Sequence, residues 1–72
     1  MMLDTQMHLQ VNGERRQVPD GTTAAGLLEQ LGVQPGRVVV EVNVTVIKRD
    51  QLAATSLKEG DQVEIVQFVG GG

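Results

Sequence analysis

Thr22-Thr23-Ala24-Ala25-Gly26-Leu27-Leu28-Glu29-Gln30-Leu31-Gly32 is the stretch on which the fold turns. Ala24, Leu27, Leu28 and Leu31 stand at i, i+3, i+4 and i+7, one apolar stripe on one helix. Thr22 or Thr23 can cap its start by accepting a bond from a free backbone N–H. Gly32 stands at the C-cap position. The spacing predicts a helix over about residues 23–31. Gly26 inside it costs about 1 kcal/mol relative to alanine; it either permits close approach to a sheet or is simply tolerated.

Upstream, Met7, Leu9 and Val11 alternate with His8 and Gln10, the pattern of a half-buried strand. Asn12-Gly13 follows, a strong two-residue hairpin signal, because both central residues of a type I′ turn need positive φ. The returning strand, residues 14–18, is polar and belongs at a sheet edge, where charge discourages pairing with other chains. Pro19-Asp20-Gly21 is a turn leading to the helix.

Downstream, Gln34-Pro35-Gly36 turns the chain into residues 38–43, with Val38, Val40 and Val42 on one face. Residues 44–47 either continue this strand or restart as a short one. Residues 48–56 have no clear period and run over the surface, with Leu52 and Leu57 as anchors. Gly60-Asp61 is a tight turn before the last strand, residues 63–69. There Val63 and Ile65 share one face, while Val66 and Phe68 fall on the other. One helix among several strands must cover one face of one mixed sheet. The first and last strands are the most apolar candidates for its centre. Right-handed crossovers then favour an α+β, β-grasp (ubiquitin-like) roll of four to five strands with the helix on one face.

Composition narrows the function. Seventy-two residues allow one small domain, and 40% hydrophobic content gives it a thin core. With no cysteine there is no disulfide, thiolate metal site or cysteine nucleophile. A single histidine, His8, cannot build a His-rich metal site, and a single aromatic, Phe68, cannot form a base-stacking platform. Nine acidic against six basic residues give a net charge of −3, the wrong sign for a default nucleic-acid binder. No apolar run reaches membrane-spanning length and no signal peptide is visible, so the expected compartment is the cytoplasm. No nucleophile–base pair can be assembled, so an enzyme with its own active site is not expected.

The runs Val40-Glu41-Val42-Asn43, Val46-Ile47-Lys48-Arg49 and Leu57-Lys58-Glu59-Gly60-Asp61-Gln62-Val63-Glu64-Ile65-Val66-Gln67-Phe68-Val69-Gly70-Gly71-Gly72 resemble the ThiS family, the sulfur carriers of thiamin biosynthesis. The hairpin and the helix fit the same pattern, and the resemblance covers residues 7–72. Two departures stand outside the reactive end: Gly26 where an acidic residue is expected, and an additional six-residue leader. The organisation implied is a flexible leader (1–6), a β-grasp domain (7–69) and a flexible reactive tail (70–72).

The resemblance implies a carrier without catalytic residues, bound cofactor or metal. An ATP-dependent, ubiquitin-activating-like enzyme adenylates the Gly72 carboxylate, a sulfur donor protein replaces AMP to leave a thiocarboxylate, and thiazole synthase takes the sulfur. Gly70 and Gly71 would enter the partner's active site, since glycine has no Cβ to clash there. Val66, Phe68 and Val69 are the candidate docking residues, with Val39 as a possible neighbour. The other reading for Val66 and Phe68 is burial through a bulge or a curled sheet. His8 is expected to face outward without chemistry. Lys48 and Arg49 read as a solvated turn that could also steer an acidic partner. Two alternatives stand beside this reading: a sulfur carrier for molybdopterin synthesis, and a non-reactive β-grasp binding module. The unobstructed terminal glycines argue against the second.

Overall fold

The computed structural model describes residues 5–68. The elements run β1 (Gln6–Val11), β2 (Glu14–Pro19), α1 (Ala24–Leu31), β3 (Val38–Val42), β4 (Thr45–Ile47) and β5 (Gln62–Gln67), with 3-10 turns at Pro35–Arg37 and Arg49–Ala54. The strands form one mixed sheet in the order β2-β1-β5-β3-β4. β1 and β5 are parallel; the other neighbours are antiparallel. β5 therefore lies at the centre with β1 beside it, as the apolar content of the two strands predicted. This is the β-grasp arrangement.

The helix forms where the stripe placed it. Thr23 is the cap: its hydroxyl oxygen accepts from the Gly26 N–H at 3.0 Å. Thr22 instead donates its hydroxyl to the Pro19 carbonyl at 2.6 Å. Ala24, Leu27 and Leu28 are each 1% exposed, whereas Leu31 is only partly buried at the helix end. A Cβ on Gly26 would meet the Thr23 hydroxyl at 3.4 Å and the Thr22 methyl at 3.7 Å, with no strand atom among its nearest neighbours. Close approach to the sheet is thus not what glycine provides there.

One face of the sheet meets the helix. Met7, Leu9 and Val11 from β1, Val18 from β2, Val38 and Val40 from β3 and Val63 from β5 are buried against α1, together with Leu52 and Leu57. Alternation forces this, because the register pairs Met7 with Val18, Val11 with Val63 and Val42 with Val63, and directly opposed residues share a face. Leu52 anchors the 3-10 stretch, whose three-residue turn explains the missing helical period. The segment behind it is pinned to the helix start: the Ala24 N–H bonds the Thr55 carbonyl and the Leu57 N–H bonds the Thr22 carbonyl.

Three boundaries differ from expectation. Gln6 belongs to β1, paired with Pro19, and the Asp20 N–H bonds the Thr5 carbonyl, so the strand starts inside the six-residue leader. β3 ends at Val42 and the chain restarts as β4 after a two-residue turn, Asn43-Val44. β5 spans Gln62–Gln67, although the Phe68 N–H still bonds the Arg37 carbonyl at 2.9 Å. The expectations for residues 1–4 and 69–72 lie outside the described residues. Among the described residues, no helix is long and apolar enough to cross a membrane.

Candidate functional site: the open sheet face and the end of β5

β5 is held on both sides. Toward β3, the Asn43 N–H bonds the Gln62 carbonyl at 2.7 Å, and the Phe68 N–H bonds Arg37. Even-numbered β5 residues thus turn their peptide groups toward β3. At the start of the strand Asn43 does more: its Oδ1 accepts from the Gln62 N–H at 2.9 Å, and its Nδ2 donates to the Asp61 carboxylate at 2.9 Å. The other Asp61 oxygen accepts from the Lys58 N–H at 2.8 Å, which closes the Gly60-Asp61 turn. These bonds fix where β5 begins.

Among the described residues, no element covers the face opposite α1. On it, Val39 of β3 lies opposite Val66 of β5, and Glu41 opposite Glu64, with Val46 of β4 opposite Glu41. Val66 and Phe68 are each 56% exposed and Val46 is 58% exposed. Val66 and Phe68 therefore point into solvent; no bulge turns them inward, because β3 and β5 pair residue for residue from Val38 to Val42. Val39, partly buried, adjoins them. Val39, Val66 and Phe68 gather at the end of β5, whereas Val46 lies level with the two carboxylates farther back along the sheet. Like charges directly opposed across a ladder destabilise it slightly, so this pair marks an open surface rather than a stabilising contact.

His8 is half-buried on the open face, and its N–H bonds the Glu59 carboxylate at 2.9 Å with the ring Nδ1 3.5 Å from the same group. With the Gly60 N–H bonded to the His8 carbonyl, the arrangement ties β1 to the turn that precedes β5. The Arg49 guanidinium lies against Gly36, 3.2 Å from where a Cβ would stand. Lys48 and Arg49 are both exposed, in keeping with a solvated turn. Among the described residues, no group of His, Asp or Glu is placed to hold a metal. Val69, Gly70, Gly71 and Gly72 lie outside the described residues.

Sequence reasoning missed two parts of this site. Asn12 read as a turn former only and Asn43 as the end of a strand, yet both side chains grip β5. The signal was present in their position, each at the first place of a two-residue hairpin turn flanking the central strand. Linking either to β5 requires knowing the strand order.

Comparison with known proteins fits this geometry. The ThiS family profile matches residues 9–72. The chain is 46% identical over 66 residues to a thiazole synthase of Magnetococcus marinus, covering 92% of this chain and 20% of that protein. The chain thus spans about a fifth of the length of the thiazole synthases it matches. It is 30% identical over 66 residues to the sulfur carrier protein ThiS of Escherichia coli, covering all of that protein. A crystal structure of the thiamine biosynthesis protein ThiS from Geobacter metallireducens superposes with a TM-score of 0.79 at 40% identity, over 92% of this chain and 100% of that one. With the family profile running through the last residue and the β-grasp sheet in place, the chain belongs to the ThiS family.

Proposed function

We propose that this chain is a sulfur carrier for thiazole formation in thiamin biosynthesis, with Gly72 as the site that is activated and loaded. The observation that carries the reading is the family match through Gly72, joined to a central strand that leads straight into Gly70-Gly71-Gly72 without a polar linker. A carboxylate is a poor electrophile. An activating enzyme that uses ATP joins AMP to the Gly72 carboxylate and releases pyrophosphate, giving a mixed anhydride. A sulfur nucleophile on a donor protein then attacks the carbonyl carbon; the C–S bond forms as the C–O bond to AMP breaks. With a donor persulfide as that nucleophile the adduct is an acyl disulfide; a thiol then attacks its donor-side sulfur, the S–S bond breaks, and the products are a C-terminal thiocarboxylate and a disulfide on the donor. The carrier supplies the electrophilic carbon and the surface that presents it, and its partners do the catalysis.

The relatives named thiazole synthase support an association with that enzyme, since a region like this chain forms a fifth of each. Gly70 and Gly71 let the end pass into a narrow nucleotide pocket, because neither has a Cβ. Val66 and Phe68, with Val39, form the apolar surface that sits against the partner while the tail is engaged.

The test is intact mass after incubation with ATP, an activating enzyme and a sulfur source. The mass should rise by the difference between one sulfur and one oxygen, and fragmentation should place the change on Gly72. A C-terminal amide, or one bulky residue added after Gly72, should abolish loading while circular dichroism stays unchanged. Sulfur loading and thiazole formation by the capped protein would refute the assignment and favour a non-reactive binding module.

A further inference from the structure

Odd-numbered β5 residues turn their peptide groups away from β3, toward β1. The Val63 carbonyl accepts from the Asn12 N–H at 2.9 Å. β1 then ends, and the chain turns away at Asn12-Gly13. The Asn12 side chain takes over at the next odd residue: its Oδ1 accepts from the Ile65 N–H at 2.7 Å, and its Nδ2 donates to the Ile65 carbonyl at 3.2 Å. One amide side chain thus fills the place of a neighbouring strand residue. It reaches no farther. Gln67, the next odd residue, is exposed, and among the described residues nothing bonds its N–H or its carbonyl.

We propose that this free edge at Gln67 is where an extended segment of thiazole synthase, as it receives the loaded tail, joins the sheet by main-chain hydrogen bonds. An unpaired strand edge offers a donor and an acceptor in the spacing that an added strand satisfies. Chain length says what occupies it. Four residues follow Phe68, and four residues span at most about 14 Å when fully extended. A protein that closes on the Gly72 carboxylate must therefore come within that distance of Phe68, which brings the Gln67 edge into the contact. Val66 and Phe68, on either side of Gln67, offer the incoming strand apolar neighbours on the open face. Asn12 occupies the edge farther back, so the added strand stops at Gln67.

The inference rests on the carrier reading, and the experiment separates the two. Gln67→Pro removes an N–H that bonds nothing among the described residues, at a position where proline is compatible with a strand. Gln67→Ala keeps the N–H and removes only the side chain. Affinity for a purified thiazole synthase, measured by calorimetry, should fall about tenfold for Gln67→Pro. It should stay within about twofold for Gln67→Ala, since the contact is with the main chain. Amide hydrogen exchange on the unsubstituted chain checks this independently of any effect of proline on folding. The Gln67 N–H should exchange freely alone and become protected in the complex. Equal affinity for both variants and the parent, equal weakening by both, or a Gln67 amide left unprotected in the complex would each overturn the proposal. If the parent chain neither binds the synthase nor acquires sulfur mass, the carrier reading fails and the inference with it. If the parent binds and loads while Gln67→Pro binds equally well, only the inference fails.

Discussion

The molecule contains two hairpin turns of the same backbone shape and different sequence, and replacing one residue tests what that shape costs. Asn12-Gly13 has φ of 50° and 84°; Asn43-Val44 has 51° and 73°. Valine is β-branched, and an L-residue in the left-handed region is strained by roughly 1–2 kcal/mol. Val44 is 86% exposed, so little buried apolar surface offsets this strain. Val44→Gly relieves the strain but adds freedom to the unfolded chain, which costs about 0.4–1 kcal/mol. The expected net effect is a stabilisation of about 0.5–1 kcal/mol, which in a domain of this size raises the melting temperature by about 2–8 °C. Gly13→Val is the mirror experiment. No heavy atom lies within 4 Å of the added Cβ, so backbone strain is the main term, and a loss of similar size is expected. Urea melts followed by circular dichroism measure both, with unchanged denaturant slopes showing that the unfolded state is comparable. If Val44→Gly destabilised the domain by more than about 0.5 kcal/mol, the strain argument would be refuted, and Val44 would have to make contacts that its exposure denies.

Two further substitutions separate the core from the open face. Leu28→Ala, at a position 1% exposed, should cost roughly 2–5 kcal/mol, enough to remove most of the stability of so small a domain; a thermal melt within a few degrees of the parent would contradict the helix–sheet packing. Phe68→Ser, on a side chain 56% exposed, should weaken binding to the activating enzyme and leave the melting temperature close to the parent's. Unfolding without a specific binding defect would place Phe68 in the core.

Much of this protein is local, and what is local was legible in the sequence. The helix was readable because Ala24, Leu27, Leu28 and Leu31 repeat with the helical period and a threonine precedes them. The first hairpin was readable because Asn12-Gly13 suits a backbone few other residues adopt without strain. Alternation in β5 assigned Val63 and Ile65 to one face and Val66 and Phe68 to the other before any fold was known. The resemblance to a sulfur carrier rested on the run ending in Gly70-Gly71-Gly72. The second hairpin was less legible, because Asn43-Val44 lacks the glycine that usually marks such a turn. Residues 49–54 hid their 3-10 turns behind a single buried anchor, Leu52.

Tertiary structure decided what period alone cannot. A period of two divides a strand into two faces but does not say which face a helix will cover, and there is one helix for one sheet among the described residues. Only its placement leaves Val39, Val66 and Phe68 on the open side. Strand order likewise decided that Asn12 reaches Ile65 across 53 residues of sequence and Asn43 reaches Gln62 across 19. Turn propensity is a property of the nearest neighbours, whereas a side-chain amide finds a distant peptide group only after the sheet has brought the two strands together. The free edge at Gln67 arises in the same way: it exists because β1 ends before β5 does, and no single strand records where its neighbour stops.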